Sequence, residues 1–126
     1  SSAASDVYKR QTDFNGYFNT DKLQAISAGY NDMMTYVRKQ TNSPQTTSGW
    51  FLPSIGQLIY IKKKYAEVIS KSFDKCGGAM GRGWQHHYWS STEATAANSY
   101  NINWDSGTYS QKNKSSGSMV RTALAF

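Results

Sequence analysis

Tyr88-Trp89-Ser90-Ser91-Thr92-Glu93 is the stretch on which the fold of this chain turns. Two aromatic residues followed by three hydroxyl-bearing ones suit a half-buried strand, because aromatic and β-branched side chains fit a pleated surface. Glu93, one of only eight acidic residues, stands where that strand would emerge into a loop. Lysine-rich sequence with helical spacing precedes it, and short alternating segments follow. Helices first and an antiparallel sheet after them predict an α+β domain.

Downstream of Glu93 the period is two. Tyr100, Ile102 and Trp104 alternate with Asn101 and Asn103, as in a strand with one wet face. Asp105-Ser106-Gly107 supplies a hairpin turn with glycine where positive φ is needed, and Thr108 to Ser110 would return antiparallel. Gln111 to Ser118 reads as a polar loop, and Met119 to Phe126 as a final strand inside the sheet.

Upstream the pattern is helical. Asp13-Phe14-Asn15-Gly16 carries an Asn-Gly turn signal, and Thr20 is the expected N-cap of a first helix with Asp21 in its first turn. Leu23, Ile26, Tyr30, Met33, Met34 and Val37 give that helix one apolar stripe, which Thr41-Asn42-Ser43-Pro44 ends. Gly49-Trp50-Phe51-Leu52-Pro53 reads as a short buried strand closed by proline. Ser54 with Gln57 three residues on is a capping box, so a second helix starts at Ile55. Ile55, Leu58, Ile59 and Tyr65 form its expected buried side. Val68, Ile69 and Phe73 face inward on a continuation that follows a break.

At 126 residues and 38% hydrophobic content the chain makes one domain with a modest, aromatic-rich core. The net charge of +6 arises largely from Lys62, Lys63, Lys64, Lys71, Lys75 and Arg82. Such a run is ordinarily a solvated helix face, and no nucleic-acid motif accompanies it, so nucleic acid is not an expected partner. No apolar run reaches the ~20 residues that span a bilayer, so no membrane insertion by this domain is expected. Cys76 is the only cysteine, which excludes an internal disulfide, and its place beside Gly77-Gly78 suggests a small buried or semi-buried residue. Ser1 to Gln11 looks like translated sequencing-adapter read-through, as found at the ends of genes assembled from environmental DNA. It is set aside as a fusion scar would be. The native protein is then expected to continue upstream, with any signal or anchor there.

Catalytic chemistry finds little support. His86 and His87 are adjacent and on a strand would point to opposite faces. With Cys76 ten residues away, a zinc site lacks its remaining ligands. No metal and no cofactor are expected. Glu93 and Asp105 would serve glycoside chemistry only if brought within ~5–10 Å, which nothing in the spacing requires. Glu93 is expected instead to accept hydrogen bonds at the base of a loop. Arg121, in an apolar final segment, is expected to pair with a carboxylate or to face outward. Ala94 to Ser118 differs, mixing rigid aromatics with adaptable hydrogen-bonding residues as recognition loops do.

Several of these pieces coincide in order and spacing: Asp13-Phe14-Asn15-Gly16 with Asn19-Thr20, Gly49-Trp50-Phe51-Leu52-Pro53-Ser54-Ile55-Gly56-Gln57-Leu58, Tyr88 to Glu93, and Val120-Arg121 to Ala125-Phe126. Together they resemble the Lcl-type C-terminal domain family, named after a collagen-like bacterial adhesin, from about Thr12 to Phe126. That family belongs to the C-type-lectin-like superfamily, with the sulfatase-modifying (formylglycine-generating) fold. The resemblance implies a single domain over 12–126 with two main helices on a small twisted antiparallel sheet. It implies display at the bacterial cell surface, as the C-terminal part of a larger lipoprotein or fimbria-associated protein. Similar domains are the variable proteins of diversity-generating retroelements, whose mutated segment would correspond to Ala94 to Met119. This chain carries fewer Asn and Tyr there than heavily diversified members. The glutamate-proline-asparagine and tryptophan-asparagine-aspartate motifs of calcium-dependent lectins are absent. The cysteine pair of the formylglycine-generating enzymes is missing too, since only Cys76 exists.

The expectation is therefore a non-enzymatic adhesion domain that recognises a glycan or protein through loops between Glu93 and Met119. Tyr100, Asn101, Asn103, Trp104, Asp105, Tyr109, Lys112 and Asn113 are the candidate contacts, of which only one of the two alternating sets on the strand can face outward. Trp50, Leu52, Pro53, Trp89, Glu93 and Arg121 are the expected structural residues. The alternatives are a binder of anionic polysaccharide using the Lys62–Lys75 face, and an enzyme related to the formylglycine-generating fold.

Overall fold

The computed structural model describes residues 12–26, 36–37, 43–78 and 86–126. The expected leader over 1–11, the stripe residues Tyr30, Met33 and Met34, and Arg82 lie outside them. Among the described residues the main elements are two helices, α1 (Gly16–Ile26) and α2 (Ile55–Cys76), followed by three strands, β1 (His87–Glu93), β2 (Asn98–Asn103) and β3 (Tyr109–Asn113). The strands form one antiparallel sheet in the order β1-β2-β3, with the helices packed on it, so the α+β architecture holds.

α2 begins where its capping box places it. Ser54 accepts from the Gln57 N–H, and Gln57 Oε1 accepts from the Ser54 N–H at 2.9 Å. It ends at Gly77, whose left-handed φ of 72° lets Gly78 N–H reach Phe73 O at 2.8 Å. The helix runs unbroken for 22 residues, correcting the expected break. With 3.6 residues per turn held throughout, Ile55, Leu58, Ile59, Ala66 and Ile69 line the core side. Tyr65 and Val68 (61% exposed) fall outside that stripe and face water, against the expectation that both would be buried.

The core joins Ile55 and Leu58 to Tyr88, Tyr100, Ile102 and Trp104 of the sheet, with Tyr88 and Trp104 edge to face at 6.3 Å. A smaller cluster of Val37 and Leu52, with Leu23 and Val120, lies beside it.

Four further readings are corrected. α1 starts at Gly16, so Thr20 is an interior helix residue. Its hydroxyl donates to Gly16 O at 2.8 Å and accepts from Leu52 N–H at 2.9 Å, a buried cross-link between helix and loop. Residues 111–113 belong to β3 and not to a loop. The final segment makes single bridges, Met119 to Tyr88 and Ala123 to Phe51, in place of a strand, and the 49–53 segment likewise contributes one bridge.

Candidate recognition surface

β1 is the scaffold. Trp89 pairs with Asn101 and Glu93 with Ser99, so three residues on β1, Ser90 to Thr92, oppose Tyr100 alone on β2 and the strand bulges between the two pairs. The bulge explains the three hydroxyls in a row. Ser90 Oγ donates to Tyr100 O at 2.8 Å, Ser91 Oγ accepts from Asn19 Nδ2 at 3.5 Å, and Thr92 Oγ1 donates to Asp13 Oδ2 at 2.9 Å. All three are buried polar groups, and each has a partner.

Asp13, which sequence reasoning passed over as part of a turn, gathers the motifs into one knot. Its carboxylate also accepts from Asn19 Nδ2 at 2.7 Å and from Asn15 N–H at 2.9 Å, and its carbonyl accepts from Gly56 N–H and Ser54 Oγ. An acidic residue two positions before an Asn-Gly turn was the available signal, since Asp there forms an Asx turn.

The two turns of the sheet lie at opposite ends. Residues 94–97 and 114–118 share one end, where Lys114 Nζ reaches Glu93 Oε2 at 2.7 Å and Ala96 O at 3.0 Å, and Lys114 N–H donates to Ala97 O. Glu93 thus holds the loop base, with lysine as a partner. The 104–108 turn occupies the other end, where Gly107 has the expected positive φ of 75°. There Asp105 Oδ1 lies 2.8 Å from His86 Nδ1, a contact without hydrogen-bond alignment. Glu93 and Asp105 are on the order of 15–20 Å apart along the strands, too far for paired carboxylate chemistry. Among the described residues no group of three or more His, Cys, Asp or Glu is placed to hold a metal ion. Cys76 is exposed, correcting its expected burial at the helix end.

The eight candidate contacts separate. Tyr100 and Trp104 are buried in the core, and Asn101 is 1% exposed with its Oδ1 accepting from Ser110 Oγ at 2.7 Å. These three are corrected to structural residues, because both faces of β2 are covered and no wet face exists. Asn103 Oδ1 accepts from Asp105 N–H, and Asn113 Oδ1 from Ser115 N–H, so both amides shape turns. Lys112 Nζ donates to Gly117 O and Ser118 Oγ and stands 5.9 Å over the buried Trp89 ring. Tyr109 is 42% exposed, its ring held edge to face against Tyr100 at 6.1 Å. Ser110, Gln111 and Asn113 are exposed beside it, so β3 forms a continuous outer band between the two turns.

Leu52 and Pro53 are buried and Trp50 is half-buried. The Arg121 guanidinium stands 4.8 Å from the Phe73 ring, on the final turns of α2. The basic face is divided: Lys62 lies over Trp104 at 5.5 Å, and Lys71 pairs with Glu67 at 2.8 Å. No helix among the described residues is long and apolar enough to cross a membrane.

No protein-family model matches this chain, and no curated protein does. Among solved structures it is similar to a fimbrial protein from Bacteroides ovatus, with a TM-score of 0.62 and 23% identity over 90% of this chain. The chain spans 25% of that protein's crystallised length, and at this identity the likeness is one of fold.

Proposed function

We propose that this chain is a non-enzymatic ligand-binding domain of a bacterial surface protein, recognising a glycan or protein along β3 and its two flanking turns. The observation that carries the reading is Tyr109: a half-exposed aromatic fixed by a buried one, beside exposed amide and hydroxyl side chains. A pre-ordered ring loses little conformational freedom on binding, and neighbouring polar groups fix orientation. The resemblance to Lcl-type, C-type-lectin-like domains and the fold shared with a fimbrial protein support placing it at the cell surface, as one domain of a longer chain. Asp105, Asn103, Lys112 and Asn113 border the band at its ends. A glycan and protein array on residues 12–126, followed by the affinity of Tyr109→Ala for the strongest binder, tests the reading. A weakened affinity with an unchanged melting curve is expected, and an unchanged affinity removes β3 from the site.

A further inference from the structure

A second surface lies away from β3, on the water-facing side of α2. Phe14, Tyr60 and Tyr65 are each 46–52% exposed, yet they touch in sequence. Phe14 meets Tyr60 at 6.2 Å between ring centroids, and Tyr60 meets Tyr65 at 6.1 Å. Contiguous exposed aromatics mark contact sites far more strongly than scattered ones. The hydrophobic core has no use for them, since α2 already buries Ile55 and Leu58 on its other side.

Lysines share this side. Lys64 follows Tyr60 by four positions and precedes Val68 by four, while Lys71 and Lys75 continue the same helical stripe. Lys63, Lys64 and Lys75 are exposed, and only Glu67 and Asp74 offset the five lysines of the helix. An apolar protein partner fits this poorly, because lysine is depleted from the centres of protein interfaces. Half-exposed rings interleaved with ammonium groups suit a sugar polymer that carries its own charge. The rings stack against the apolar faces of pyranoses, and the lysines meet carboxylates.

We propose that the Phe14–Tyr60–Tyr65 ladder with Lys64 and Lys75 binds an acidic polysaccharide of the polyuronate class, which bears one carboxylate on every ring. The contacts are independent of β3, so this site stands or falls apart from the recognition band there. It also revises the idea of a purely cationic face, since Lys62 is committed to Trp104 and rings, not charge alone, select the ligand.

The test titrates residues 12–126 with oligogalacturonate and with its methyl-esterified form, by calorimetry at two salt concentrations. Five proteins are compared: wild type, Tyr60→Ala/Tyr65→Ala, Tyr60→Phe/Tyr65→Phe, Lys64→Gln/Lys75→Gln, and Tyr109→Ala. The ring variant is expected to lose roughly tenfold in affinity, each ring contributing a few-fold. The lysine variant should lose affinity for the charged form only, and Tyr109→Ala should match wild type. Melting curves by circular dichroism verify that each variant is folded. Tyr60→Phe/Tyr65→Phe keeps the rings and should retain binding even if the alanine variant unfolds. No binding by wild type, or binding that salt abolishes and the ring variant leaves unchanged, overturns the proposal. So does a wild-type shift to a dimer that Tyr60→Ala/Tyr65→Ala reverses, which would make the ladder a protein contact.

Discussion

Thr92 Oγ1 donates a 2.9 Å hydrogen bond to Asp13 Oδ2 and at the same time accepts one from Ile55 N–H at 2.9 Å. One hydroxyl therefore joins the entry turn, the start of α2 and the bulge of β1. Thr92→Val keeps the shape but strands both partners, and a lost hydrogen bond to a charged group costs about 1.5–3 kcal/mol. Asp13→Asn should cost a similar amount, because three donors converge on a carboxylate and an amide offers one acceptor oxygen. Chemical denaturation of both single variants and the double variant checks this. The double variant should be less destabilised than the sum, as expected when two residues share one bond.

Gly16→Ala reverses the usual helical ranking. Alanine normally stabilises a helix relative to glycine by roughly 0.5–1 kcal/mol. Here the added Cβ would collide with Gln57 Oε1 and meet two backbone atoms, Ser54 N at 2.8 Å and Leu52 O at 3.0 Å. Overpacking of this kind costs about 1–3 kcal/mol, so the melting temperature should fall.

The unbroken α2 makes Val68 a surface residue. Val68→Ser should change stability by less than about 0.5 kcal/mol, as surface substitutions do. Leu58→Ala, in the core of the same helix, should cost about 2–5 kcal/mol. Similar losses for the two in urea titrations would contradict the helix orientation.

Cys76 stands exposed in the last turn of α2. It should react with a thiol-specific chromogenic reagent in the native protein as completely as in denaturant. Protection released only by unfolding would place it inside.

Much of the fold was legible because local chemistry and tertiary structure agree. The Ser54–Gln57 box starts α2, Gly107 turns the hairpin, and the Tyr100, Ile102, Trp104 alternation meets the core. The misreadings of polar residues share one cause. Asn101 has a polar side chain that resembles a contact, yet it is buried and its Oδ1 is committed to Ser110 Oγ. Thr20 looks like a cap but serves as a cross-link from inside α1. Whether a polar group points to a ligand or to its own chain depends on residues distant in sequence, as Asp13 and Thr92 are. The final segment reads as a strand because most of its residues are apolar, but its backbone makes only isolated bridges to β1 and Phe51.

The most direct test of recognition along β3 is an amide chemical-shift map of isotope-labelled 12–126 titrated with the strongest binder from the array. Shifts concentrated at residues 103–113, with Tyr109 and Gln111 largest, are the predicted result. A map that leaves those amides unmoved while shifts gather elsewhere on the domain would contradict the assignment.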